Sequence, residues 1–209
     1  MSEVSEELRE TAVYNTILTG LAEGRNTLQE LYSHTGFSRA KISVYLKSLM
    51  ELELVEKVFS FDTEGHANTK KGYYRIKSHL VDFYYRFVYP HASDAELLNG
   101  KAFYEKYIEK DFRAFVDVHF KEICREYMEG ENTAGKLPFA LTKIGEWIGK
   151  QGCVDIVGST EGGNCLIGAC FFMPMVTYEL YEELLLAAKQ AKIAYSYIYL
   201  FGICLLYTS

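Results

Sequence analysis

The order of apolar and polar residues in the first half of the chain predicts three helices followed by a β-hairpin. Apolar residues recur every three or four positions in the helical segments, whereas they alternate with polar residues in the strand segments. This order of elements is the plan of a winged helix-turn-helix. The predicted helices are residues 7–23, a shorter helix that begins at Thr27 and ends before a tight turn at residues 34–37, and residues 38–52. The predicted strands are residues 54–61 and 72–76.

Local capping signals indicate where the second and third helices begin. Thr27 and Glu30 have the spacing of a capping box, and Ser38 is a typical N-cap residue. Gly36 supplies a tight turn between the two helices. Because these signals do not depend on the apolar pattern, they strengthen the winged-helix prediction.

The second half of the chain has a mixed pattern that predicts a small α/β domain. We therefore expect an α+β protein with a winged helix-turn-helix domain at residues 1–90 and an α/β domain at residues 91–209. Helices are predicted at residues 78–89, 101–128 and 178–192, a linker at 91–100, a loop at 130–137, a short strand or turn at 141–147, a strand hairpin at 154–157 and 166–172, and a buried strand at 193–201.

Composition indicates an ordinary soluble globular protein, since 49% of the residues are hydrophobic and 24% are charged. The acidic start, MSEVSEELRE, does not resemble a signal peptide. The apolar tail at residues 193–206 spans only about fourteen residues, fewer than a membrane helix needs, so we expect no membrane contact. The five cysteines form no Cys-x-x-Cys pair, which favours the reducing cytoplasm over a disulfide framework or a zinc site.

Charge is unevenly distributed along the chain, although its net value is −6. Residues 36–77 carry eight Lys and Arg against five Asp and Glu, which gives +3, whereas residues 90–209 carry eleven against sixteen, which gives −5. Only the first of these regions suits a phosphate backbone.

The candidate DNA-binding residues lie on the polar face of the predicted third helix and at the tip of the predicted hairpin. Three neighbouring carboxylates, Glu51, Glu53 and Glu56, would repel phosphates. A solvated face of a protein–protein module is therefore the alternative interpretation. The candidates are Arg39, Lys41, Ser43, Lys47, Lys70 and Lys71.

Five longer motifs stand out along the chain. They are YYRIK at residues 73–77, FYYRFVYP at 83–90, FKEICREY at 120–127, IGEWIGK at 144–150 and VDIV at 154–157. These motifs resemble signature segments of a family of archaeal and bacterial ATPases. Proteins of that family begin with a P-loop ATPase module, which is followed by a winged helix and a C-terminal domain resembling PD-(D/E)XK nucleases. No GxxxxGK(S/T) motif occurs in this sequence, so the resemblance implies the rear portion of such a protein or a stand-alone relative.

The resemblance also implies where nuclease chemistry would lie. Its helix carboxylate falls on Glu122 and its first-strand carboxylate on Asp155, which would hold a divalent metal. The Glu-x-Lys of the second strand falls on Ala169 and Phe171, which supply neither function. Lys150 and Lys189 are the candidates for replacing the missing lysine.

Each carboxylate also has a purely structural interpretation. Asp155 interrupts an apolar strand, where an unpaired charge is expensive to bury, so backbone amides or a nearby lysine would have to hold it. Glu122 would be a solvated helix side chain.

We therefore expect a non-catalytic module without a cofactor that binds double-stranded DNA or docks an ATPase module or another protein. The alternative is a nuclease that cleaves DNA with magnesium held by Glu122 and Asp155. A third possibility is a fragment that has no independent function.

Overall fold

The computed structural model describes residues 3–63, 72–149, 152–172 and 177–202. It is an α+β structure that divides into two compact units. The first unit contains residues 3–58 and 72–111, and the second contains residues 59–63 and the described residues from 112 onward. The predicted α+β class is confirmed, whereas the domain division near residue 90 stays a prediction.

The first unit begins with the predicted three helices and two-stranded sheet. Its core is formed where the helices meet, and Ile17, Leu31 and Ile42 are fully buried there. Burial of such apolar side chains is the main force that holds three short helices together. The elements are α1 (Glu3–Ala22), α2 (Leu28–Thr35), α3 (Arg39–Glu51), β1 (Val55–Phe59) and β2 (Gly72–Ile76).

The predicted caps of α2 and α3 are present. The Thr27 hydroxyl accepts a hydrogen bond from the Glu30 backbone amide at 3.2 Å, and the Glu30 carboxylate accepts one from the Thr27 amide at 2.9 Å. The hydrogen bond from the Thr27 side chain lowers the pKa of Glu30. Ser38 accepts the Lys41 amide at 3.2 Å, and Gly36 ends α2 with a left-handed φ of 70°. These contacts set the direction of the chain as it enters α3.

Further helices follow the hairpin in the first unit. The predicted helix at residues 78–89 is present as α4 (His79–Phe83), a π-helical turn (Tyr84–Val88) and a 3₁₀ turn that starts at Tyr89. Its aromatic side chains attach it to α1, since Phe87 is buried and the Tyr85 hydroxyl donates to Asn15 at 2.8 Å.

The predicted linker at residues 91–100 is wrong, because it contains α5 (Ala92–Leu97). Contacts with the next helix, α6 (Gly100–Tyr107), hold this short segment in place. The Asp94 carboxylate accepts hydrogen bonds from Tyr107 and, at 2.7 Å, from Lys106.

The second unit is a four-stranded sheet with helices on its two faces. The strands are arranged in the order β3-β4-β5-β6, in which only β5 and β6 are parallel. Helix α8 connects these two strands, as a parallel pair requires. The elements are α7 (Glu109–Thr133), β3 (Lys143–Ile148), β4 (Cys153–Ser159), β5 (Cys165–Phe171), α8 (Tyr178–Ala191) and β6 (Tyr197–Gly202).

Two apolar clusters hold the helices to the sheet. One joins α8 to the strands through residues such as Trp147, Ile167 and Leu184. The other joins α7 to the strands through residues such as Met128 and Ile156. Strands β4 and β5 are therefore buried on both faces, which explains their continuous apolar sequences.

The last described strand differs from its prediction. The buried strand expected at residues 193–201 is instead the edge strand β6, and Tyr197 and Leu200 are 46% and 40% exposed. Residues 203–209 lie outside the described residues. Among the described helices, none has both the length and the apolar character needed to cross a membrane.

Candidate functional sites

Helix α3 presents a cationic row on its exposed face. Arg39, Ser43 and Lys47 are exposed and lie four residues apart, so they are aligned along one side of the helix. The opposite side of the helix packs into the core through Ile42 and Leu46, which are at most 1% exposed. This burial fixes which side of α3 is turned outward.

Arg39 is held by side chains of α2. Its guanidinium donates to the Gln29 side-chain oxygen and lies 5.0 Å from the centre of the Tyr32 ring. A guanidinium over an aromatic face gains cation–π stabilisation, and its remaining donors stay available. Arg39 is therefore oriented before any ligand arrives.

Lys41 lies at a different edge of α3, although the sequence placed it with the other candidates. Its ammonium is 4.4 Å from the centre of the Phe37 ring and 5.9 Å from that of Tyr45. The candidates Lys70 and Lys71 lie outside the described residues. The structure thus brings together three of the six predicted DNA-binding residues in one row.

The three carboxylates that argued against DNA binding each have a cationic neighbour. Salt bridges join Glu51 to Lys47 at 3.8 Å, Glu53 to Lys77 at 3.2 Å and Glu56 to Arg75 at 2.6 Å. These pairs reduce the negative potential near α3. Because an exposed pair such as Lys47–Glu51 contributes little free energy, Lys47 can exchange its carboxylate for a phosphate.

In the second unit, the strand carboxylate Asp155 is held by a lysine and a backbone amide, as its structural interpretation expects, although the sequence did not name Lys121 as that lysine. Asp155 is 8% exposed, and its Oδ1 accepts a hydrogen bond from the Lys121 ammonium at 2.7 Å. Its Oδ2 accepts the Cys170 backbone amide at 3.0 Å. Burial alone would lower the pKa of Lys121, but the negative charge of Asp155 and the hydrogen bond to it together outweigh burial, so the pKa is raised.

The sequence contained a signal for this pair. Lys121 comes three residues before Cys124 and seven before Met128, both of which are buried. Residues at this spacing share one face of a helix, so Lys121 lies on the face of α7 that packs against the sheet. A lysine at such a position requires a carboxylate nearby.

The Lys121–Asp155 pair opens onto a cleft of about 460 Å³. The wall that α8 contributes to this cleft carries a further carboxylate, Glu183, together with Leu180 and Leu186. The cleft is thus lined by one ammonium, two carboxylates and apolar side chains.

Glu122 does not have the position expected of a solvated residue. Its side chain is only 12% exposed and lies 4.0 Å from His119 Nδ1. Of the two lysines proposed to replace the missing one, Lys189 is exposed on α8 and Lys150 lies outside the described residues.

The donor set around Asp155 does not fit a magnesium ion. Magnesium needs oxygen ligands in octahedral geometry, whereas both oxygens of Asp155 already accept hydrogen bonds from nitrogen donors. The second-strand positions carry Ala169 and Phe171, which offer no side-chain oxygen. No metal-dependent step follows from this arrangement.

Comparison with known proteins identifies two regions of the chain. Residues 15–57, from α1 to β1, match the helix-turn-helix model described as bacterial regulatory protein, arsR family. Residues 84–177 match a family, DUF234, described as archaeal and bacterial proteins of unknown function. The chain thus contains an ArsR-type helix-turn-helix and a DUF234 region, and the first of these suggests DNA binding.

A relative in Methanocaldococcus jannaschii, described only as an uncharacterized protein, is 32% identical over 155 residues. The match covers 74% of this chain but 34% of the relative, so the chain spans about a third of that protein's length. No solved structure matches the chain.

Proposed function

We propose that this chain is a non-catalytic DNA-binding module. In it, α3 contacts the major groove of duplex DNA, and the second unit is a nuclease-like fold that docks a protein partner in the cytoplasm. The observation that carries the proposal is the exposed row of Arg39, Ser43 and Lys47 on α3 within the ArsR-type region. A helix at this place in a helix-turn-helix enters the major groove with its first residues towards the bases.

The electrostatics of the first unit favour this proposal. Arg39 is already oriented by Gln29 and Tyr32, so little side-chain entropy is lost when it meets a phosphate or a guanine. The nearby carboxylates Glu53 and Glu56 are paired with Lys77 and Arg75. The repulsion that the sequence suggested is thereby reduced.

The second unit supports a non-catalytic function. The Lys121 ammonium donates a hydrogen bond to the Asp155 carboxylate, which in a nuclease would bind a metal ion. The second strand has Ala169 and Phe171 at the positions where the nuclease motif has glutamate and lysine. We propose that this unit keeps a nuclease-like arrangement of helix and strands as a docking platform.

We further propose that the partner is a P-loop ATPase module. The motif resemblance at residues 73–90 and 120–127 supports this, because in the resembled family such a module precedes the winged helix. The relative in Methanocaldococcus jannaschii extends well beyond the matched region, so it has room for another domain.

A fluorescence anisotropy titration of labelled duplex DNA over a series of salt concentrations tests the DNA-binding proposal. We expect the logarithm of the binding constant to fall linearly with the logarithm of the salt concentration, because phosphate contacts release counterions. Substituting Arg39→Ala and Lys47→Ala together should reduce the slope by about one per lost phosphate contact.

The matched control is Lys189→Ala, which removes an exposed lysine from the second unit and should leave the slope unchanged. Binding without salt sensitivity, or a double variant with the wild-type slope, would contradict the proposal.

The metal-dependent nuclease is the second candidate to test because Asp155 lines an open cleft that a substrate could enter. Incubation with supercoiled plasmid and Mg²⁺ or Mn²⁺, with Asp155→Ala as control, distinguishes the two. We expect no cleavage by either protein. Cleavage that Asp155→Ala abolishes would instead establish the nuclease.

A further inference from the structure

Helix α3 exposes a large apolar side chain in the middle of its polar face. Val44 is 63% exposed, whereas Ile42, Leu46 and Leu49 of the same helix are at most 1% exposed. Ala40, one turn before Val44, is exposed as well. These two residues form an apolar row beside the cationic row of Arg39, Ser43 and Lys47.

The fold of the first unit gives no reason for a valine at this position. A β-branched residue has a lower helix propensity than alanine, lysine or glutamate, and here it gains no burial in return. A contact outside the chain would supply that burial.

The proposed DNA complex offers such a contact. If the cationic row faces the phosphates and base edges, the neighbouring apolar row faces the floor of the major groove. The apolar group exposed there is the C5-methyl of thymine, which small apolar side chains contact directly. Charge complementarity from Arg39 and Lys47 on the same exposed face makes DNA a better occupant than an apolar protein surface.

We infer that Val44 is a specificity-determining residue that recognises the methyl group of a thymine in the major groove. This inference rests on the proposed DNA-binding function, and it adds a sequence preference that phosphate contacts cannot provide.

The test begins with selection of the full chain against short DNA duplexes that have a randomised centre, followed by sequencing of the bound pool. We expect thymine to be enriched at a defined position. Replacing that thymine with deoxyuridine removes only the methyl group, and it should weaken wild-type binding about three- to fivefold, the effect of one buried methyl. For Val44→Ser, which replaces the two methyl groups with a polar hydroxyl, the thymine and deoxyuridine duplexes should bind equally.

Leu80→Ala is the matched control, since Leu80 is 77% exposed but lies outside α3. This variant should keep the wild-type preference for thymine. Salt-sensitive binding with no difference between thymine and deoxyuridine, or a difference that survives in Val44→Ser, would overturn the inference but leave DNA binding intact. The absence of any salt-sensitive binding would instead contradict the proposed function itself.

Discussion

A single lysine changes the interpretation of the second unit. The Lys121 ammonium lies 2.7 Å from Asp155 Oδ1. The negative charge of the carboxylate that resembles a nuclease residue is therefore balanced by a positive charge within the fold. A second charged pair between α7 and the sheet, Arg125 with Glu146, is also largely buried, at 3.2 Å. Both pairs attach α7 to the strands by charge as well as by apolar contact. This arrangement favours a structural function for Asp155.

We therefore predict that Lys121→Met destabilises the second unit by about 2–3 kcal/mol, because it leaves Asp155 buried without a cation. Combining Lys121→Met with Asp155→Asn should recover part of that loss. Trp147, the single tryptophan of the chain, is buried in this unit, so its fluorescence during urea unfolding measures the change.

Lys101→Met provides the control, because Lys101 is 84% exposed and its ion-pair partner Glu105 is exposed as well. Its effect should stay within about 0.5 kcal/mol. Equal effects of the two lysine substitutions on the free energy of unfolding would show that the buried Lys121–Asp155 pair stabilises the protein no more than an exposed pair does.

Among the helices and strands, the sequence predicts features that depend on neighbouring residues, such as helix starts. It does not predict features that depend on contacts between distant residues. The starts of α2 and α3 followed from Thr27, Glu30 and Ser38, because capping involves residues only three positions apart. Helix α5 was missed because its stabilising partners, Lys106 and Tyr107, belong to the next helix.

The same distinction applies to strand β6 and to the candidate sites. An aromatic and β-branched sequence is typical of a strand, but it does not state whether the strand is central or at an edge. The row of Arg39, Ser43 and Lys47 follows from helical periodicity alone. The periodicity of α7 indicates that Lys121 needs a carboxylate, but its partner Asp155 is 34 positions away, so only the three-dimensional structure identifies the pair.

Gly36, in the turn between α2 and α3, should tolerate substitution poorly. Its φ of 70° lies in the left-handed region, where a Cβ atom is strained, so Gly36→Ala should reduce the free energy of unfolding by about 1–2 kcal/mol. Asparagine tolerates this conformation, so Gly36→Asn should lose less. Thermal unfolding followed by circular dichroism measures both changes.

A glycine-to-alanine substitution in α7 should raise the free energy of unfolding, whereas Gly36→Ala lowers it. Gly130 is exposed in that helix and has open space around its Cα, so Gly130→Ala should stabilise the protein by about 0.5–1 kcal/mol. A stabilising Gly36→Ala would show that the turn between α2 and α3 is not constrained as described.

For the molecule as a whole, the two compact units are not two consecutive stretches of sequence. The second unit includes residues 59–63, which begin with the last residue of β1. The Ser60 hydroxyl accepts the Ile148 amide at 2.9 Å, the Phe61 carbonyl accepts Lys143 at 2.6 Å, and the Phe61 ring packs in the cluster of Trp147. Residues 59–63 therefore act as part of the second unit.

This arrangement predicts that a substitution at Ser60, which is far in sequence from the sheet of the second unit, will destabilise that sheet. Ser60 is 1% exposed, so Ser60→Ala leaves the partly buried Ile148 amide without its acceptor, which should cost about 1 kcal/mol. Hydrogen exchange of the full chain should show faster exchange in β3 and β4, with α2 and α3 unchanged, because local stability follows local contacts. Ser33→Ala, an exposed change in α2, should leave β3 and β4 protected. Faster exchange in α2 and α3 with Ser60→Ala would mean that the two units unfold as one, and that the link through residues 59–63 couples them energetically.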